Sequence, residues 1–317
     1  MSETEVLGAD GAGVTRAAAL LRAGALVALP TETVYGLAAD ATNPEAVAAI
    51  YAAKGRPTHN PLIVHVPDAA AAAALADLGA LGARLAAAFW PGPLTLVAPL
   101  RPGAGLAPAV TAGLPSVALR VPAHPLAQAV LRAAGRPLAA PSANPSGRIS
   151  PVTAAHVLAG LGGRIAAVLD GGACAVGLES TIVALDPPRI LRAGGLPAEA
   201  LAAALGAPVP EVQAGGPLLA PGMLASHYAP RALVRLNAAR PEPGEVWIGF
   251  GPDHPGDAGL NLSAAGDVDE AATRLFHLLH AADARAGAGG RIAVAPLPEA
   301  GLGRAVNDRL RRAAAPR

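Results

Sequence analysis

Apolar positions recur at helical spacing over residues 14–22, 44–53 and 126–134, within 69–78 and 81–89, and again over 152–158 and 197–205. Shorter apolar runs at 26–29, 62–66, 94–98, 116–121, 138–140, 167–169, 181–185 and 190–192 predict strands between these helices. Asn43 followed by Pro44 predicts an N-cap with proline at the first helical position. Alternating helices and strands, some close enough to be antiparallel neighbours, predict an α/β or α+β sheet domain over residues 1–206. The run GAPVPEVQAGGPLLAPGMLASHYAP that follows is too rich in Gly and Pro for a regular element, so 207–231 reads as a linker, longer than an ordinary loop. Strands at 233–236, 246–250 and 292–295, with a helix over 268–284, predict a smaller α/β unit over 232–317.

Composition changes this picture little. A chain of 317 residues has enough apolar material for two cores. A formal net charge of +1 supplies no global field for gripping nucleic acid. One cysteine, Cys174, can form neither an internal disulfide nor a thiolate-rich metal site, which points to a reducing cytoplasm. The acidic opening MSETEVLGAD reads as neither a signal peptide nor a membrane span.

Polar groups gather where the predicted strands end. PTETVYGLAAD leaves a strand carrying Thr31, Glu32, Thr33 and Tyr35, hydroxyls that either cap a turn or fix a small polar ligand. KGRPTHNPLIVHV holds the single lysine of the chain, Lys54, with Arg56 two residues on, at a helix end whose dipole favours cations. Its strand alternation sets Leu62, Val64 and Val66 on one face and His65 on the other. The same parity in SVALRV turns Arg120 away from Val117, Leu119 and Val121, so that this arginine either meets a carboxylate of the chain or lines a ligand cleft. PSANPSGRISP joins a strand to a helix start through small residues, with Ser150 as N-cap and Pro151 at the first helical position. That arrangement makes an anion cradle out of free backbone N–H groups. There is no GxxxxGK[ST] loop and no convincing GxGxxG. ESTIVAL and ILRAG place Ser180 and Arg192 at strand ends, and His277 and His280 share one helix face, where packing is the expected role.

In this order, PTETVYGL, KGRPTHNPLIVHV, SVALRVP, PSANPSG, ESTIV and ILRAG resemble the YrdC-like family of L-threonylcarbamoyladenylate synthases, and PGMLASHYAP with the small α/β unit resembles the linker and C-terminal domain of its long form. The resemblance implies a twisted mixed sheet around a concave cleft, plus a smaller Rossmann-like α/β domain. It implies synthesis of L-threonylcarbamoyl-AMP from L-threonine, bicarbonate or CO2, and ATP, with release of pyrophosphate, for modification of adenosine 37 in tRNAs reading ANN codons. It places Thr33, His65, Arg120, Ala140 and Ser180 at the threonine. Arg56, Asn60, Ser116, Ser142, Ser150, Arg192 and Tyr228 fall at the ATP, with Lys54 beside the phosphates and Lys54 and Arg56 as the catalytic cations. Mg2+ is expected with ATP, its protein ligands unknown, and the linker is expected to act as a lid carrying Tyr228. The expected partners are the three substrates and a downstream tRNA threonylcarbamoyl transferase, with neither membrane association nor direct tRNA binding.

Two further readings remain at this stage. A concave α/β surface with several arginines could be a double-stranded RNA-binding module, against which stand the near-neutral charge and few aromatics. Carbamoyl transfer from carbamoyl phosphate, as in hydrogenase-maturation proteins with a related domain, would need acylphosphatase-like and zinc-finger regions that this sequence lacks.

Overall fold

The computed structural model describes residues 3–212 and 227–316. The chain order is β1 (Glu5–Leu7), α1 (Gly11–Arg22), β2 (Val27–Leu29), β3 (Gly36–Asp40), α2 (Pro44–Lys54), β4 (Ile63–His65), α3 (Ala69–Leu75), α4 (Gly79–Phe89), β5 (Leu94–Pro99), α5 (Pro108–Thr111), β6 (Ser116–Arg120) and α6 (Pro125–Ala134). It continues with β7 (Leu138–Ala139), α7 (Ala154–Leu161), β8 (Ala167–Leu169), β9 (Thr181–Leu185), β10 (Pro188–Arg192), α8 (Ala198–Leu205), β11 (Leu233–Arg235), β12 (Glu245–Ile248), α9 (Val268–Ala286), β13 (Arg291–Val294) and α10 (Gly303–Ala314).

Strands β1 to β10 form one mixed sheet in the order β1-β8-β2-β3-β7-β4-β6-β5-β9-β10. Its two faces follow side-chain alternation. Val117, Leu119 and Val121 enter the main core, whereas Ala118 packs on the other side with Ile63, Val97, Ile182, Ala184 and Leu191. β11, β13 and β12 form a separate parallel sheet against α9 and α10, the smaller α/β unit.

α2 has the expected start: Asn43 Oδ1 accepts from the backbone N–H of Glu45 and of Ala46, with Pro44 in the first turn. It stops at Gly55, whose φ of 61° is the left-handed conformation that glycine adopts without strain. That stop makes Lys54 the last helical residue and sends Arg56 back toward the sheet. The structure differs from the sequence expectation at several elements: β1, β3, α5 and α10 form where the pattern predicts no helix or strand, and α7 is capped by Thr153 rather than Ser150. Thr153 Oγ1 accepts from His156 N, while the Ser150 hydroxyl is used elsewhere, donating to Glu179 Oε1 at 2.5 Å. Most of the expected lid, residues 213–226, lies outside the described residues.

Candidate active site

The cavity sits where the second sheet face turns from apolar to polar. Parallel pairing of β4 with β6 sets His65 opposite Arg120, and antiparallel pairing of β5 with β6 sets Thr95 opposite the same arginine. Just before β9, Ser180 Oγ lies 2.7 Å from Thr95 Oγ1. Gly194 lets the chain after β10 pass close behind, since a Cβ there would stand 2.3 Å from the Glu179 carbonyl oxygen. Across the gap, Thr31 Oγ1 donates to Val34 O at 2.6 Å and lies 2.8 Å from Thr33 Oγ1, so the two threonines close a tight turn and also face the cavity.

The enclosed space is about 50 Å³. Thr33, His65, Arg120, Ala140 and Ser180 line it, and so do Arg56, Ser142, Arg192 and Tyr228. Each of the three arginines is clipped to protein acceptors. Arg56 donates to the carbonyls of Asn60 and Pro61 at 3.2 and 2.8 Å, and Arg192 reaches Ser180 O at 2.9 Å. Arg120 Nη2 meets Glu32 Oε1 at 2.7 Å, while Glu32 Oε2 accepts from Ala123 N at 3.0 Å. Both outcomes left open for Arg120 therefore hold, since it pairs with a carboxylate and lines a cleft.

Electrostatics follow from this crowding. Burial, reinforced by Arg192, lowers the Arg56 guanidinium to about 10, so it remains a cation at neutral pH. Burial pushes the Glu32 carboxyl up, but Arg120 outweighs it and leaves the group below its ordinary value. Burial and the nearby Arg120 lower His65 to about 3, so its imidazole is neutral, and among the described residues its buried Nδ1 has no hydrogen-bond partner. An anion entering this cavity would find oriented cations with little reorganisation left to do.

Four expected residues are not among those that line the cavity. Lys54 is buried with Nζ on the carbonyls of Ser142 and Asn144. Asn60 is buried beside Arg56, and among the described residues neither polar atom of its side-chain amide has a hydrogen-bond partner. Ser116 begins β6, at the opposite end from Arg120. Ser150 is committed to Glu179.

Sequence reasoning missed Glu179, His227 and Arg309. Glu179 and His227 line the cavity. Arg309, on α10, is fully buried; its Nε donates to Glu179 Oε2 at 2.8 Å, its Nη2 donates to Ala193 O at 2.9 Å, and its guanidinium lies 5.1 Å from the centre of the Tyr228 ring. The small unit thus reaches, through one side chain, the segments carrying Ser180, Arg192 and Tyr228. Burial pushes the Glu179 carboxyl up, but Arg309, Arg192 and the Ser150 hydroxyl hold it below its ordinary value. His277 and His280 pack as expected: the His280 ring stacks on His156 at 3.9 Å, and His280 Nε2 lies 3.2 Å from Ser150 O.

Fold and cavity together define an α/β protein with an arginine- and hydroxyl-lined cavity against one sheet face. Residues 19–194 match a family model described as "Telomere recombination", and residues 196–315 match one described as "Threonylcarbamoyl-AMP synthase, C-terminal domain". A threonylcarbamoyl-AMP synthase of Pyrococcus abyssi is 40% identical over 94% of this chain and 92% of its own. One of Bacillus subtilis is 47% identical over 75% of this chain and 70% of its own. The crystal structure of P. abyssi Sua5 complexed with L-threonine superposes with a TM-score of 0.89 at 37% identity, covering 99% of this chain and 98% of that one. The chain belongs to the threonylcarbamoyl-AMP synthase family, in its two-domain form.

Proposed function

We propose that this chain makes L-threonylcarbamoyl-AMP from L-threonine, bicarbonate or CO2, and ATP, releasing pyrophosphate. The observation that carries this reading is the gathering of Arg56, Arg120 and Arg192 around one cavity rimmed by Thr33, Ser142 and Ser180. In the first step the threonine amine adds to CO2, giving a carbamate and releasing a proton. In the second a carbamate oxygen attacks the α-phosphorus of ATP, and the bond from that phosphorus to the pyrophosphate oxygen breaks. The carbamate and ATP, the two reactants of this second step, are both anions, so the protein's work is to hold mutually repelling groups in line and neutralise them.

Arg120, held by Glu32, would receive the threonine carboxylate, with Thr33, His65, Ala140 and Ser180 around the amino acid. Arg56 and Arg192, with Ser142 and Tyr228, would receive the triphosphate, and the buried Asn60 and Ser150 would support that wall, while Ser116, at the far end of β6 from Arg120, would stand outside it. Mg2+ would arrive with ATP. Glu179, which lines the cavity, has both oxygens engaged, and among the described residues there is no cluster of His, Cys, Asp or Glu suited to a metal. Among the described residues, therefore, no carboxylate cage is offered to the ion. Residues 1–206 would be the catalytic domain, 207–231 the connecting segment and 232–317 the supporting domain.

The product is a mixed anhydride, prone to hydrolysis, so a cytoplasmic tRNA threonylcarbamoyl transferase would take it up for adenosine 37 of tRNAs reading ANN codons. No helix among the described residues is long and apolar enough to cross a membrane. Incubation with ATP, L-threonine and labelled bicarbonate, followed by mass analysis for the adenylate and a pyrophosphate assay, tests the reading. Pyrophosphate release should require all three substrates. Release that persists without threonine or bicarbonate would overturn it.

A further inference from the structure

Lys54 is a buried basic side chain with no acidic partner among the described residues. It closes α2 at 4% exposure, and burial, with Arg56 beside it, lowers its pKa well below the ordinary lysine value. Its Nζ donates to Ser142 O at 2.6 Å and to Asn144 O at 2.5 Å, and its own carbonyl accepts from Ser146 N at 2.8 Å. One residue thus grips alternate positions, 142, 144 and 146, of a single loop. The other side of that loop is tied by Ala143 N to Tyr35 O at 2.8 Å. Ser142 lines the cavity, whereas Lys54 does not.

Carbonyl oxygens facing a triphosphate would repel it. Tied to an ammonium behind the wall, the carbonyls of Ser142 and Asn144 are turned from the ligand side and their dipoles are compensated. We propose that Lys54 is a positioning residue, whose ammonium acts on the nucleotide through the 142–146 loop and not by contact with the phosphates. This rests on the reading of the cavity as the nucleotide site given above. It also accounts for a lysine in a chain whose other side-chain cations are all arginine. A compact point charge with three donors fits between two carbonyls at a helix end, whereas a planar guanidinium would displace the loop to reach them.

The test uses the full chain with Lys54→Met, which keeps the length and loses the donors, and Lys54→Arg. Hydrogen exchange of the amides at 143–148 is followed without ligand, and ATP and L-threonine are titrated separately by calorimetry. In Lys54→Met, loop exchange should rise and ATP affinity fall on the order of tenfold each, as losing charge-assisted bonds would produce, with threonine affinity within about threefold of wild type. Lys54→Arg should show the same loosening in smaller measure. Loss of ATP affinity with unchanged loop exchange would overturn the proposal in favour of direct phosphate contact. Faster exchange across the whole chain would overturn it in favour of a general folding role, and a loosened loop with normal ATP affinity would overturn it as well. If wild type failed to bind ATP while the loop still loosened, the nucleotide reading of the cavity would fall instead, and Lys54 would remain the loop's mount.

Discussion

Two groups of ion pairs in this molecule use the same chemistry to different ends. On the exposed rim of the molecule, Arg16 pairs with Glu5 and Arg311 with Glu299, all four side chains about half exposed. At the cavity wall, Arg309 pairs with Glu179 and Arg120 with Glu32, almost wholly out of water. Exposed pairs are weakened by solvent and salt, and contribute at most about 1 kcal/mol. Buried pairs need not add net stability either, but each partner becomes indispensable to the other, because the survivor would be an uncompensated charge in a poor solvent. The buried pairs therefore act as orienting devices. Glu32 fixes which way Arg120 points, and Arg309 fixes Glu179, which in turn receives the Ser150 hydroxyl.

The sharpest way to break this contrast is at the seam. Arg309→Met should lower stability by about 3 to 5 kcal/mol in urea denaturation and depress pyrophosphate release severely, because Glu179 keeps its burial and loses its main counter-charge. Adding Glu179→Gln should recover part of the stability, giving a coupling energy well above about 1 kcal/mol in a double-mutant cycle. A cost no larger than that of a surface pair would erase the distinction.

A smaller effect concerns the neutral histidine on the cavity wall. His65 has a folded-state pKa of about 3, below its ordinary 6.5, so below pH 6.5 the unfolded chain binds a proton that the folded chain refuses. Stability should fall as pH drops from 6.5 toward 3. His65→Gln should remove up to about 1.4 kcal/mol per pH unit from that slope, measured by denaturation at pH 7.5, 6 and 5. An unchanged slope would mean that the imidazole takes up its proton in the folded state. The smallest effect belongs to the rim: Arg311→Ala should change stability by less than about 1 kcal/mol, and less still in high salt, with pyrophosphate release unaffected.

Legibility in the sequence followed the range of the interactions. Alternation in SVALRV separated Arg120 from Val117 and Leu119, and Asn43 with Pro44 marked the start of α2, because both signals act within a few residues. β3 escaped because GLAAD is small and buried on both faces, so no alternation distinguishes it from a loop. Ser150 carried a sound capping signal that lost to a partner 29 residues away, and Thr153 took the cap. α10 hid behind its polar composition. Arg309 is among the most deeply buried side chains only because Glu179, 130 residues earlier in the chain, meets it across the domain seam.

By itself the sequence determined the alternation of helices and strands, the face each strand residue takes, and the motif order that resembles a synthase family, since propensity, parity and spacing are local. Only the tertiary structure decided that Arg56, Arg120 and Arg192 share a cavity while Lys54 stands behind its wall, and that a helix near the far end of the chain completes the support. The reason is that desolvation makes a buried charge depend on whichever partner the fold delivers, and sequence separation carries no record of that delivery.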